Sequence, residues 1–304
     1  MDALSRGPTA PDAHQRQPVR IRTMRHDDIA AGLQLCRASQ WNQVARDWEL
    51  FLASSPEGCC VAVDDSDEVV GSVATLRYGS AFSWIAMALV LPAYRGAGIG
   101  TRLLEEALTI LHDGPVVRLD ATPAGFGLYE RAGFREEYRL QRMQRAVGPT
   151  SRSGERESGV GRSSARPMQD DDVNEVLMQD REVFGADRRW LLDAFRRDAP
   201  EYAWVGGQEH IDGYLFGRRG HAFEHLGPLV ARDEATAREL VAACVSTHPD
   251  RPFILDVPRR TSWAHWLDTL QFTVQRPFIR MYRGNDRPLE RTDHVFAIVG
   301  PEFG

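Results

Sequence analysis

Residues 88–104 read ALVLPAYRGAGIGTRLL, and the fold turns on them. An apolar, strand-like run stops at Pro92. Gly96, Gly98 and Gly100 follow, and from Ile99 onward Leu103, Leu104, Ala107, Leu108 and Leu111 recur at helical spacing. A strand that passes through a glycine-rich turn into an amphipathic helix is a building unit of a layered α/β sheet. Glycine tolerates backbone angles and close approaches that other residues resist, so successive amide hydrogens at a helix start can converge on an anion. The helix field adds roughly 0.3–1 kcal/mol there, and Arg95 and Arg102 add positive charge. The turn therefore reads as a diphosphate cradle. A Rossmann turn would need glycine where Thr101 stands, and no Walker loop occurs, because no Gly-Lys pair precedes Ser or Thr.

Outward from this unit, residues 19–24, 59–63, 69–78, 82–90, 116–119 and 134–143 read as strands. Helices are expected around Ile29, Leu33, Leu35 and Cys36, capped by Asp27 or Asp28, then around Val44, Trp48, Phe51 and Leu52, and over 128–132, closed by Gly133. The sum is α/β, a mixed central sheet flanked by helices. Pro-rich residues 1–18 read as a flexible leader, and residues 148–167, GPTSRSGERESGVGRSSARP, as a flexible linker. These bound a first domain at 19–147 and a second at 168–304. Leu119 and Asp120 precede Phe134 much as Leu255 and Asp256 precede Phe272, an echo that points to an internal duplication.

The run Leu91-Pro92-Ala93-Tyr94-Arg95-Gly96-Ala97-Gly98-Ile99-Gly100 resembles the acetyl-CoA-binding motif of the GNAT superfamily of N-acetyltransferases, an Arg or Gln followed by x-x-Gly-x-Gly or Ala. Arg95, Gly98 and Gly100 match it. LDATPAGFGLYERAGF, residues 119–134, is similar to a second family segment, with Leu128, Tyr129, Gly133 and Phe134 on its LYxxxGF pattern. The resemblance covers 19–145, and the whole chain resembles tandem GNAT-like members of the family.

That resemblance implies acetyl transfer from acetyl-CoA to an amine by direct attack in a ternary complex. It places the main chain of Ala88, Leu89 and Val90 beside the pantetheine, and Arg95, Gly96, Ala97, Gly98, Ile99, Gly100 and Thr101 around the pyrophosphate. Tyr129 is expected as the acid that protonates the departing thiolate. Asp120 at a strand end and Glu49 on an early helix are the candidates for general base, and Gln40, Trp41 and Trp48 for the acceptor wall. No metal is expected.

The corresponding turn of the second half, GPLVARDEATAREL at 227–240, has no glycine triplet and carries Asp233 and Glu234 where a diphosphate would approach. Leu267 stands at the tyrosine position. This degenerate half is expected to shape the acceptor site, and the segment HVFAIVGPEFG, 294–304, to tuck back against a domain, with its terminal carboxylate a conceivable base.

Composition narrows the classes. Thirty-seven basic against 43 acidic residues give a net charge of −6 and no global field for nucleic acid. The longest apolar stretch falls far short of a membrane span, and no secretory signal is evident, so no membrane partner and a cytoplasmic location are expected. Four cysteines without a CxxC pair read as buried small hydrophobes. His221 and His225 lack a third ligand, and Arg259 and Arg260 read as loop residues. A small-molecule amine is favoured over a peptide or protein lysine as acceptor, oligomeric state is left open, and a noncatalytic CoA-sensing or protein-binding module is the competing reading.

Overall fold

Cys59–Val63, CCVAV, is buried at all its positions, as a strand covered on both faces must be. It is the second strand of a sheet that the computed structural model describes over residues 19–147, 164–284 and 291–304. The first half runs β1 (Arg20–Thr23), α1 (Ile29–Ala38), α2 (Ala45–Ser54), β2 (Cys59–Val63), β3 (Val69–Tyr78), β4 (Phe82–Val90), α3 (Ile99–Ile110), β5 (Val116–Ala121), α4 (Pro123–Arg131) and β6 (Arg135–Arg145). The second repeats the order: β7 (Arg166–Pro167), α5 (Val173–Phe184), α6 (Arg189–Asp198), β8 (Trp204–Gly206), β9 (Gly213–Arg218), β10 (Glu224–Ala231), α7 (Glu234–Thr247), β11 (Phe253–Pro258), α8 (Thr261–Thr269), β12 (Thr273–Gly284), and then β13 (Val295–Ala297).

The leader expected at 1–18 and most of the linker lie outside the described residues. The linker's last two positions do not behave as linker, since Arg166 and Pro167 pair with Val205 and Trp204. Helix α4 also starts earlier than expected. Thr122 accepts a hydrogen bond from the Gly125 amide and Pro123 occupies the first turn, so a capped start overrides the helix-weakening Gly125 and Gly127.

Repetition is visible in detail. Arg22 makes a two-pronged pair with Asp28, which also accepts from the Arg25 amide at 2.7 Å. Arg166 and Asp172, at the same spacing, do the same with the Gln169 amide.

The sheet order is β1-β2-β3-β4-β5-β12-β6-β11-β10-β9-β8-β7, with β13 beside β10. Each half has therefore given its last strand to the other: β5 pairs with β12, and β11 with β6. At the centre β6 and β12 pair antiparallel, with Leu140 opposite Phe278, and an approximate two-fold axis passes between them. One core cluster accordingly includes residues of both halves, from Trp48 and Trp84 to Phe195 and Phe303.

Two wedges result. Parallel β4 and β5 pair only at Ser83–Val117 and Trp84–Arg118 and then diverge, as β10 and β11 do after Glu224–Phe253 and His225–Ile254. The second wedge is filled. β13 pairs with β10, and Ile298 bridges to Asp256 of β11. Gly227 makes this approach possible, since a Cβ there would sit 2.0 Å from the Ile298 carbonyl oxygen. Among the described residues no helix is long and apolar enough to cross a membrane.

Candidate active site

The first wedge is open. A cavity of about 790 Å³ runs from the glycine turn, between β4 and β5, to the junction of the two halves.

At its outer end the chain leaves β4 through Leu91, whose amide donates to the Val70 carbonyl at 2.9 Å. The Arg95 Nε reaches back to the Val90 carbonyl at 3.0 Å, which curls the turn. Gly96 and Gly98 adopt φ +80° and +81°, angles costly for other residues, and a Cβ at either would meet nothing within 4 Å. The turn is thus an open cradle at the start of the 12-residue α3. Its first helical bond comes from Arg102 to Gly98, so the amides of Ile99, Gly100 and Thr101 precede it and form the positive end of the helix field. Arg95, Gly96, Gly98, Ile99, Gly100 and Thr101 line the cavity; Ala97 does not. Arg102 departs from expectation: its guanidinium bonds to the Val19 carbonyl and lines a separate shallow depression behind β1.

Midway, Met87 and Ala88 together oppose Val73, a bulge in which Met87 takes φ 52°. The Ser72 hydroxyl holds the Met87 carbonyl at 2.7 Å. Ala88, and Leu89 and Val90 beyond the bulge, line the cavity. The bulge itself left no signature in an apolar run.

Tyr129 lies across from this strand, 9% exposed, its ring edge-on to Phe134 at 6.0 Å. Its hydroxyl makes no hydrogen bond among the described residues. Burial pushes it up to about 12, so it is a neutral donor at every ordinary pH.

The two carboxylates expected as bases are placed otherwise. Both oxygens of Asp120 are taken by Arg280 at 2.9 Å, with both side chains fully buried, so it lines the cavity as half of an ion pair. Glu49 is on the outer face of α2, paired with Arg46 at 3.1 Å and away from the cavity. Trp48 is also misplaced as acceptor wall. It is fully buried in the core, where a Cβ on Gly32 would come within 2.9 Å of its ring. Gln40 and Trp41 do line the cavity.

Gln43, Arg142, Arg276, Phe278 and Glu302 complete the inner end, and sequence reasoning missed them as site residues. Arg142, Arg276 and Phe278 arrive on the exchanged strands, and Glu302 on the segment beyond β13. The one available signal is segment 294–304 itself, in which the sequence points to the terminal carboxylate rather than to Glu302. Gly304 instead packs against Trp84, its carbonyl held by Arg188 at 3.2 Å.

Around Glu302 lies a buried ionic cluster. Arg218 pairs with both Asp47 and Glu302, and Arg142 makes a two-pronged pair with Asp256. His225 sits between Arg218 and Asp256, at 2.9 Å and 3.0 Å. Burial, aided by Arg218, holds it down to about 4, so it is neutral. Its strand geometry also ends any helical pairing with His221. Arg260 stacks on Phe296 and neither it nor Arg259 reaches the cavity. The cysteines are buried free thiols, Cys36 and Cys59 pushed up to about 12 by burial, unsuited to nucleophilic work.

Family comparison matches both halves: residues 55–136 and 176–297 each fit an acetyltransferase (GNAT) domain model. The chain is 27% identical over 270 residues to a holothin acyltransferase of Pseudoalteromonas sp. (strain SANK 73390), covering 88% of each. It is 22% identical to the uncharacterized N-acetyltransferase YitH of Bacillus subtilis, over 92% of this chain and 96% of that one. A crystal structure from Pyrococcus horikoshii superposes with TM-score 0.76 at 24% identity, covering 98% and 99% of the two chains.

Proposed function

Because the chain belongs to the GNAT superfamily, with two of its domains in tandem, we propose that the first half transfers an acetyl group from acetyl-CoA to a small-molecule amine by direct attack in a ternary complex. The observation that carries this reading is the single cavity joining the glycine cradle to the inner chamber, with the β4 bulge and Tyr129 between them.

The cradle residues fit a diphosphate, since open glycines at a helix start offer donors without side-chain obstruction. Acetyl-CoA bound there supplies the activated thioester. The peptide groups of residues 88–90 would then lie along the pantetheine and polarise the carbonyl. Tyr129, kept neutral by burial, donates its proton to the leaving sulfur. The inner chamber is walled by the α1–α2 junction, the exchanged strands and the segment after β13, which suits a small amine better than an extended peptide.

The second half offers no equivalent. β13 fills its wedge, and Asp233 already occupies the start of α7, accepting from the Thr236 amide at 2.9 Å. One CoA per chain follows. Calorimetry should give that stoichiometry, and Tyr129→Phe should keep CoA affinity while lowering kcat by about 100-fold. CoA binding with no turnover by the native protein across a broad amine panel would favour the noncatalytic module.

A further inference from the structure

The filled wedge and the open one are joined by one short stretch of chain. After β13 the backbone turns at Gly300, where a Cβ would lie 2.7 Å from the His225 ring, and Pro301 and Glu302 then enter the first half's cavity. Taking the acyl-transfer reading as its premise, we propose that Glu302 binds the acceptor's ammonium group and removes its proton, with the side-chain oxygen of Gln43 as a second acceptor, and that the acceptor is a primary amine on an apolar body.

Two observations single out these groups. Glu302 is 2% exposed, and while Arg218 pairs with its Oε1, its Oε2 has no hydrogen-bond partner among the described residues. Gln43 is 3% exposed, and its Oε1 also lacks a partner. Buried acceptors left without a partner beside the cavity call for a ligand that brings N–H groups, and an ammonium brings three. At Glu302 Oε2 and Gln43 Oε1 a carboxylate or phosphate would set acceptor against acceptor. Trp41 and Phe278, which line the same cavity, suit an apolar body.

Charge supports the same ligand. The ionisable groups around Glu302 are Arg218 (β9), His225 (β10), Asp47 (α2), Asp256 (β11), Arg142 (β6) and Arg276 (β12). Within the buried cluster three carboxylates face two guanidiniums, with His225 neutral. The guanidinium of Arg276 is half-buried and turned to the Gln40 carbonyl at 3.0 Å. His225 cannot serve as base, since its Nδ1 faces the Arg218 donor and its Nε2 the Asp256 carboxylate. With Asp120 committed to Arg280, Glu302 is the cavity carboxylate that retains an unpaired oxygen.

The step balances simply. The ammonium gives one proton to Glu302, and the freed nitrogen lone pair forms the C–N bond to the thioester carbonyl carbon. The C–S bond breaks with its electrons on sulfur, which takes the Tyr129 proton. The nitrogen's second proton restores the phenol through solvent, and Glu302 releases its own.

The test uses the full chain, acetyl-CoA and 2-phenylethylamine. Glu302→Gln should bind CoA as the native protein does and lose about 100-fold in kcat/KM for the amine at pH 7. The gap should close above about pH 10.4, where a primary amine deprotonates unaided. Glu302→Asp should recover part of the loss. Because Glu302→Gln disturbs a buried ion pair, Gln43→Met provides a second reading: the amine KM should rise about tenfold with kcat little changed, the cost of one hydrogen bond. A Glu302→Gln deficit that stays constant with pH, or an unchanged KM in Gln43→Met, overturns the assignment. CoA binding by the native protein without acetylation of 2-phenylethylamine overturns the amine site alone, whereas absence of CoA binding removes the acyl-transfer premise itself.

Discussion

Asp120 and Asp256 are the same residue of the duplicated unit, and each meets an arginine of the other half's donated strand. Asp120 stands opposite Arg280, and Asp256 opposite Arg142. Removing one partner of such a buried pair strands a charge, so Asp120→Asn should lower unfolding free energy by about 3 kcal/mol, read as a drop in urea midpoint. Turnover by the folded fraction should persist, whereas loss of kcat at unchanged stability would restore Asp120 as the base. The cluster also makes stability pH-dependent. His225 is held near 4 when folded against an ordinary 6.5, so the unfolded chain binds the extra proton and stability falls as pH drops through that window. Burial opposes the Asp256 charge but Arg142 and His225 overcome it, keeping its carboxyl well below the usual range, so its contribution persists above about pH 4 and is lost below. The urea midpoint of the native protein should fall between pH 6.5 and 4.5, and that of His225→Asn should be lower throughout but flatter.

At the scale of elements, β13 behaves as a plug that Gly227 admits. Gly227→Ala sets a Cβ against the Ile298 carbonyl at a φ of 152°, so either the plug leaves or β10, whose register to β9 already shifts between Leu226 and Leu229, deforms. Hydrogen exchange of residues 291–304 should accelerate, and the proposed acetyl transfer should fall with it because the proposed base, Glu302, rides on the same segment. Protection equal to the native protein's would refute the plug. Most elements were legible locally: the limits read for β2, β3 and β4 match the observed ones, because Asp64–Asp67 and the Gly79–Ser80 turn punctuate long apolar runs. The glycine turn was legible as a strand-to-helix junction because three glycines separate an apolar run from a helical stripe. The Met87 bulge was not, since its cause is pairing with β3. Nor was the inner end of the cavity, where Gln43 and Glu302 acquire meaning only from what packs beside them.

For the whole molecule, the echo of Leu119-Asp120 in Leu255-Asp256 announced duplication but could not announce exchange, because a strand's own pattern does not name its partner. Asp120 and Arg280 are 160 positions apart. Exchange makes the halves interdependent: a chain of residues 19–147 alone would leave β5 without β12 and β6 with nothing on either side. Calorimetry of the full chain should show one cooperative transition with matching van't Hoff and calorimetric enthalpies, and the isolated half should aggregate or associate. Two separate transitions would mean that the donated strands contribute little. Timing on the ribosome follows from the same exchange. β5 leaves the exit tunnel long before β12 is made, and at about 5–20 residues per second its open edge waits roughly ten to thirty seconds for a partner. Throughout that interval the nascent first half is a sticky, incomplete sheet, and a holdase or a pause in translation has its best opportunity to decide the yield of active protein.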